Sequence, residues 1–353
     1  MHPTGRPRPL TQTTPSSPAR FDLLGLGNAI VDVLAPASVE TLAEYGMIPG
    51  AMNLIDAERA ELLYAALREM AARPGAGHAL AQSSGGSVAN SCVAAAALGA
   101  RVAYLGTVAE DSLGDIFADD IARAGVHFPS ARLSGADARG TARCMILVAP
   151  DGSRTMNTYL GACTAFTEAQ VDEDIVRASA IIYLEGYLFD DPAAKAAFRK
   201  AARIARQAGR RVALSISDPF CADRHRADFR ALLADVDILF ANELEAESLF
   251  QTDFEGAVRA VASLPVAVLT RGPLGSVILS AGERIEIPAL PTEVVDTTGA
   301  GDAYAAGFLA GLAAGRSLRD CGLTAAACAA EVISHYGARP ERDLRAEVAA
   351  AMA

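Results

Sequence analysis

Five short runs in the second half of the chain are apolar at consecutive positions rather than alternate ones. They are AIIYLEG (180–186), RVALSIS (211–217), DILFANE (237–243), VAVLTRG (266–272) and SVILSAG (276–282). A strand of this kind is buried on both faces, so a sheet built from such strands needs helices on each side. Segments of helical period stand between or after them, at 193–208, 243–250, 254–263, 300–314 and 323–334. In the first half, FDLLGLGNAI (21–30) and VAYLGTVA near residue 105 read as strands, and 87–98 and 113–124 as helices. The pattern predicts an α/β fold, a doubly wound and mainly parallel sheet with helices on both faces. Two stretches break the rhythm. Residues 33–56 and about 129–163 hold short alternating runs such as TARCMILVA and RTMNTYLGA, expected to form a small discontinuous β lid on a domain spanning 21–345.

The chain of 353 residues has a net charge of −11, and its first twenty residues carry Arg6, Arg8 and Arg20 with no acid. The remainder is more acidic still, which argues against nucleic acid or an anionic membrane as the main partner. No uncharged apolar run approaches the ~20 residues that span a bilayer. The six cysteines (Cys92, Cys144, Cys163, Cys221, Cys321, Cys328) show neither C-x-x-C nor zinc spacing and read as reduced, buried thiols of a cytoplasmic protein. The five histidines suggest no metal cluster. Residues 1–20, rich in Pro, Ser and Thr and lacking an apolar core, predict a disordered tail and not a secretory signal.

The run VVDTTGAGDAYAAGFLAG (294–311) carries the most chemistry. β-Branched residues lead into a polar, glycine-rich turn, and small residues then open a helix. Free N–H groups at a helix start attract anions, and glycines let a phosphate come close to the backbone. Asp302 falls in the first helical turn, directly after Gly299, Ala300 and Gly301. Such a site can hold a phosphoryl group and take a proton from an attacking hydroxyl. Taken alone, a Gly-rich turn with an acidic residue is as readily a helix cap.

The whole run DTTGAGD resembles the second signature of the PfkB (ribokinase-like) carbohydrate kinase family, and the likeness in layout extends from about residue 21 to 345. The resemblance implies ATP-dependent phosphorylation of an alcohol, with Asp302 as base and Gly299, Ala300 and Gly301 forming the anion hole. An Asp at a helix start is expected to keep a low pKa. GNAIVD is similar to the family's first-strand element, which implies that Asn28 and Asp32 hold the acceptor's vicinal hydroxyls. The lone GLGN lacks the third glycine of a dinucleotide fingerprint. Gly85, Gly86 and Asn90, in GGSVAN, resemble the first family signature, whose paired glycines admit the sugar. Asp111 is expected to cap the following helix. Asn242 and Glu245 match the N-x-x-E element that organises Mg²⁺ mostly through water, as that ion prefers. Thr270, Gly272 and Gly275 resemble the turn along the ATP phosphates, with Arg271 as readily pointing to solvent. His335 falls in the region bordering adenine.

Three features resemble the adenosine kinase-like branch and imply a nucleoside acceptor. The segment 151–166 looks like its lid, with Arg154 as a substrate contact beside Arg143. EGYLF (185–189) offers Tyr187 as an aromatic for the base. No basic cluster suits a phosphorylated sugar. A free ribose- or fructose-type sugar is the alternative acceptor, and a non-catalytic binding protein of the same fold is a further one. Some relatives use a monovalent cation, and K⁺ would lie near Asp296 and Gly337. An exposed lid edge would allow a homodimer.

Overall fold

The structure, a computed structural model, describes residues 18–50, 52–72, 80–130, 132–135, 139–149 and 154–352. The tail expected over 1–20 falls mostly outside them. The chain opens with β1 (Phe21–Leu26), β2 (Ile30–Pro36), α1 (Val39–Glu44), β3 (Met52–Leu54), α2 (Ala57–Ala72), β4 (Ala81–Gly85) and α3 (Ser87–Ala97). It continues through β5 (Val102–Leu105), α4 (Ser112–Arg123), β6 (Val126–His127), β7 (Ala142–Val148), β8 (Arg154–Tyr159) and α5 (Glu173–Arg177). Next come β9 (Ser179–Glu185), α6 (Pro192–Gln207), β10 (Arg211–Ser215), α7 (Pro219–Arg224), α8 (Arg226–Leu232), β11 (Ile238–Asn242) and α9 (Glu243–Phe250). The last part holds α10 (Phe254–Val261), β12 (Val266–Thr270), β13 (Ser276–Ser280), β14 (Glu283–Ile287), α11 (Ala300–Ala313), α12 (Leu318–Val332) and α13 (Leu344–Ala351).

Nine strands form the main sheet in the order β14-β13-β12-β11-β10-β9-β1-β5-β6, parallel apart from the β12–β13 and β13–β14 pairs. Alternate residues of each strand feed two separate cores. Leu23, Ile181, Tyr183, Ala213 and Phe240 pack toward one side with α3, α11 and α12. Leu24, Leu26, Ile182, Leu184, Val212 and Leu214 pack toward the other with α6, α8 and α10. This two-sided burial is why those strands read as continuous apolar runs. Connections from β1 move one way across the sheet and those from β9 the other, so β1 and β9 flank a topological switch point, where ligand crevices form at strand carboxyl ends.

The small sheet has the order β3-β8-β7-β2-β4. Its make-up corrects two expectations. The run 21–30 is not one strand: β1 ends at Leu26, and the chain leaves the main sheet through residues 27–29 to begin β2 in the lid. The apolar pattern continues across the break, so composition alone does not mark it. The lid also takes β4, outside both expected segments, with α2 between β3 and β4. α12 begins at Leu318, capped by the Ser317 hydroxyl, and not near 323. The six cysteines are free and buried, and no helix of the described residues is long and apolar enough to cross a membrane.

Candidate active site

Asp302 occupies the first turn of α11, whose N-cap, Gly299, has φ 78°. A Cβ at Gly299 would also stand 2.6 Å from the Cα of Ala338, so both conformation and space demand glycine there. Gly301 differs. A Cβ at that position would meet no atom within 4 Å, and its φ is not left-handed. The Ala300 N–H donates to the Thr297 carbonyl at 3.2 Å, whereas those of Gly301 and Asp302 have no acceptor among the described residues. Of the three residues expected to form the anion hole, Ala300 has its N–H engaged, and the free N–H groups of Gly301 and Asp302 stand in the first turn beside it.

The Asp302 carboxylate accepts from the Ser87 hydroxyl at 2.6 Å and lies 3.5 Å from the Asn90 amide nitrogen. Both donors belong to the first turn of α3, where a helix start presents side chains to the crevice. Burial raises the Asp302 carboxyl, those two hydrogen bonds oppose it, and the Asp32 charge raises it further, to about 6. The expectation of a low pKa fails because loss of solvation outweighs the helix dipole. Asp32, on β2, is likewise raised to about 6 by burial, against the charges of Arg339 and Arg154.

The paired glycines serve neighbours in the protein. A Cβ on Gly85 would lie 2.3 Å from an Asp32 carboxylate oxygen, and one on Gly86, whose φ is 99°, would lie 2.1 Å from the Asn28 carbonyl. Asn28 is 4% exposed, and its amide donates to Glu185 at 2.8 Å. Glu185, at the end of β9, also accepts from the backbone N–H groups of Asn28 and Val88. It ties two of the chain crossings between lid and core, those after β1 and after β4, to the switch point, and burial lifts its carboxyl to about 7. Sequence reading assigned no role to Ser87 and Glu185, although they stand inside GGSVAN and EGYLF, nor to Arg339, which stands in no recognised motif.

Asn242 and Glu245 form a reciprocal cap on α9. The Asn242 side chain accepts from the Glu245 N–H at 2.8 Å, and Glu245 accepts from the Asn242 N–H at 3.0 Å and its amide at 2.6 Å. Burial raises the Glu245 carboxyl to about 7, with the Asp218 and Asp302 charges adding to the rise. No group of three or more potential ligands gathers for a metal among the described residues. The Asp218 and Asp302 charges around buried Glu245 still suit a hydrated Mg²⁺, which Asn242 and Glu245 would hold through water.

A cavity of about 660 Å³ lies beside the α11 start. Thr270, Gly272, Gly275, Ala300 and Gly301 line it with Tyr304 and the apolar face of α12. Its size and largely apolar lining suit a small organic ligand such as a nucleotide. His335 is not on this wall. Its ring lies 3.2 Å from buried Glu331, which also accepts from the Glu341 and Arg342 N–H groups. Arg271 pairs with Glu243 at 3.2 Å over the Phe254 ring and does not point into solvent. Asp111 caps α4 as expected. A second cavity, about 390 Å³, near Asp22 and Arg316 holds none of the expected residues.

The lid cations are both engaged. Arg143 pairs with Glu61 at 2.6 Å, and Arg154 Nη2 stands 2.6 Å from Asp296 Oδ2, an ion-pair contact outside hydrogen-bond alignment. Asp296 also accepts from Gly337 N and from the Thr298 N–H and hydroxyl. A guanidinium thus stands where a monovalent cation was expected. Tyr187 is half-buried, and burial with the charges of Asp218, Asp302, Glu245 and Glu185 pushes its hydroxyl up. No aromatic ring pairs with it among the described residues.

Residues 50–344 match the pfkB family carbohydrate kinase. Adenosine kinase of Saccharomyces cerevisiae is 30% identical over 315 residues, covering 84% of this chain and 90% of that protein. The solved structure of a probable sugar kinase from Rhizobium etli CFN 42 superposes with TM-score 0.84 at 45% identity, covering 95% of this chain and 99% of its own. That of adenosine kinase from Sinorhizobium meliloti gives 0.83 at 45% identity, covering 94% and 100%. A buried carboxylate at a helix start, free N–H groups beside a nucleotide-sized cavity and a second, smaller sheet match what these comparisons indicate: the chain belongs to the PfkB family of carbohydrate kinases and is an ATP-dependent kinase of sugars or nucleosides.

Proposed function

We propose that this kinase transfers the γ-phosphoryl group of ATP to a primary hydroxyl of a ribonucleoside, with adenosine as acceptor and AMP as product. The observation that carries the nucleoside reading is the state of the lid cations. A phosphorylated sugar would need a free cation, and both Arg143 and Arg154 already pair with carboxylates. The adenosine kinase relatives support the same acceptor.

In this reading Asp32 accepts hydrogen bonds from the ribose diol, for which a carboxylate's acceptor positions are suited. Asn90 contributes from the turn of α3. Asp302 takes the proton from the attacking hydroxyl, and the Gly301 and Asp302 N–H groups meet the charge of the transferred group. Phosphoryl transfer needs alignment and charge stabilisation more than a strong base. Mg²⁺, held through water near Asn242 and Glu245, would neutralise nucleotide phosphate charge. Thr270, Gly272 and Gly275 line the nucleotide cavity. Tyr187 closes the acceptor side, near the reacting end. The lid excludes water as a competing acceptor, and its exposed edge strand β3 is where a second copy would pair.

A free ribose-type sugar is the second reading, favoured by the Rhizobium etli relative's description as a probable sugar kinase. A coupled ATP assay over nucleosides and sugars separates the two. Adenosine-dependent ADP release is expected, and turnover confined to ribose or fructose would overturn the nucleoside assignment. Asp302→Asn should bind adenosine like the parent by calorimetry while losing about a thousandfold in kcat.

A further inference from the structure

The loop after α12 carries a tripeptide, Gly337-Ala338-Arg339, that touches several parts of the site. The Gly337 N–H donates to Asp296 at 2.9 Å, and Ala338 packs against Gly299. Arg339 reaches farther. Its Nε donates to Asn90 Oδ1 at 3.2 Å, Nη1 to Asp120 at 2.7 Å and Nη2 to the Ser84 hydroxyl at 2.6 Å. Those acceptors lie on α3, α4 and the lid strand β4.

We propose that Arg339 is a positioning residue for the phosphoryl acceptor, acting through Asn90. A guanidinium has donors only, so Asn90 must present its carbonyl oxygen to Arg339. The amide nitrogen is thereby turned toward Asp302, where it lies 3.5 Å from Oδ2. The opposite amide orientation would set donor against donor. The fork is itself held. Asp120 accepts from the Ser84 N–H at 2.9 Å and its hydroxyl at 2.6 Å as well as from Arg339. Burial acts to raise the Asp120 carboxyl, and these hydrogen bonds with the Arg339 charge overcome it, leaving it low. A planar fork can serve three acceptors at fixed angles, and a lysine ammonium on a flexible stem cannot. Asn90 orientation, lid strand β4 and the base are thus coupled through one side chain 249 positions from Asn90 in sequence.

The inference rests on the reading that Asn90 and Asp32 face the acceptor. Its test uses the full chain with Arg339→Gln, Arg339→Lys and Asp120→Asn, each with acceptor and ATP varied separately. Expected for Arg339→Gln is a rise in acceptor KM of about tenfold or more, the loss a charged hydrogen bond carries. The ATP KM and unfolding midpoint should stay near the parent values. Arg339→Lys should be impaired in the same direction, and wild-type kinetics in the lysine variant would overturn the fork argument. Should Arg339→Gln not fold, Asp120→Asn decides: an acceptor-specific KM rise supports the proposal, and equal changes in both KM values or none overturn it. A wild type silent toward every nucleoside and sugar would remove the functional reading instead, so the two failures are distinguishable.

Discussion

Ser87 donates its hydroxyl proton to Asp302 across 2.6 Å, joining the first turns of two helices 215 positions apart. Each turn belongs to a different signature, and the bond favours the charged form of the proposed base against the larger effect of burial.

Burial raises both Asp302 and Asp32 to about 6, and the Asp32 charge adds to the rise at Asp302, so two protons bear on one site. The acid limb of kcat/KM for the acceptor should fall below about pH 6, more steeply than for one proton. Ser87→Ala removes a donor that favours the charged form, which raises the Asp302 pKa. The limb should move to higher pH, and activity should drop more at pH 6 than at pH 8. A pH profile of that variant lying on the wild-type curve would contradict the coupling.

Gly301 needs neither a left-handed φ nor the space of a neighbour. Gly301→Ala should therefore keep or raise stability, by about 0.5–1 kcal/mol from helix propensity. A methyl group placed at the cavity wall should nonetheless cut turnover about a hundredfold. Thermal melting and steady-state rates on one preparation check both halves.

Four carboxyls, Asp32, Asp302, Glu185 and Glu245, are raised by burial to about 6, 6, 7 and 7. The folded state holds their protons more tightly than the unfolded chain, so their stabilisation is present at low pH and lost as pH rises. Ligand-free protein should lose stability as pH rises from about 4 to about 7 in urea titrations. Glu245→Gln should make that decline shallower, because one of the ionising groups is gone, and should also weaken Mg²⁺-nucleotide binding. An unchanged slope would show that burial of Glu245 has no such effect.

Arg154 and Asp296 tie lid strand β8 to the loop before α11. With the guanidinium beside that carboxylate, replacing K⁺ by Na⁺ at constant ionic strength should leave the rate unchanged. Arg154→Gln should lower kcat about tenfold, the loss of one charged contact. Strong K⁺ activation of the wild type would contradict this arrangement.

By itself the sequence determined the doubly wound core, because two-sided burial writes itself as consecutive apolar residues, and α9 was placed at 243–250 as observed. It also marked Asp302, Gly299 and the N-x-x-E element, since helix starts and left-handed turns leave local residue signatures, while the structure shows that element to be a reciprocal cap on α9. Only the tertiary structure decided where β1 stops and β2 begins, which carboxyls lose their water, and what occupies the space over Gly85 and Gly86. It alone turned Asn28 inward to Glu185, His335 toward Glu331, and Arg339 onto Asn90. Such pairings depend on groups dozens to hundreds of positions apart, and solvation and hydrogen-bond geometry are properties of that assembled neighbourhood, which no local spacing encodes.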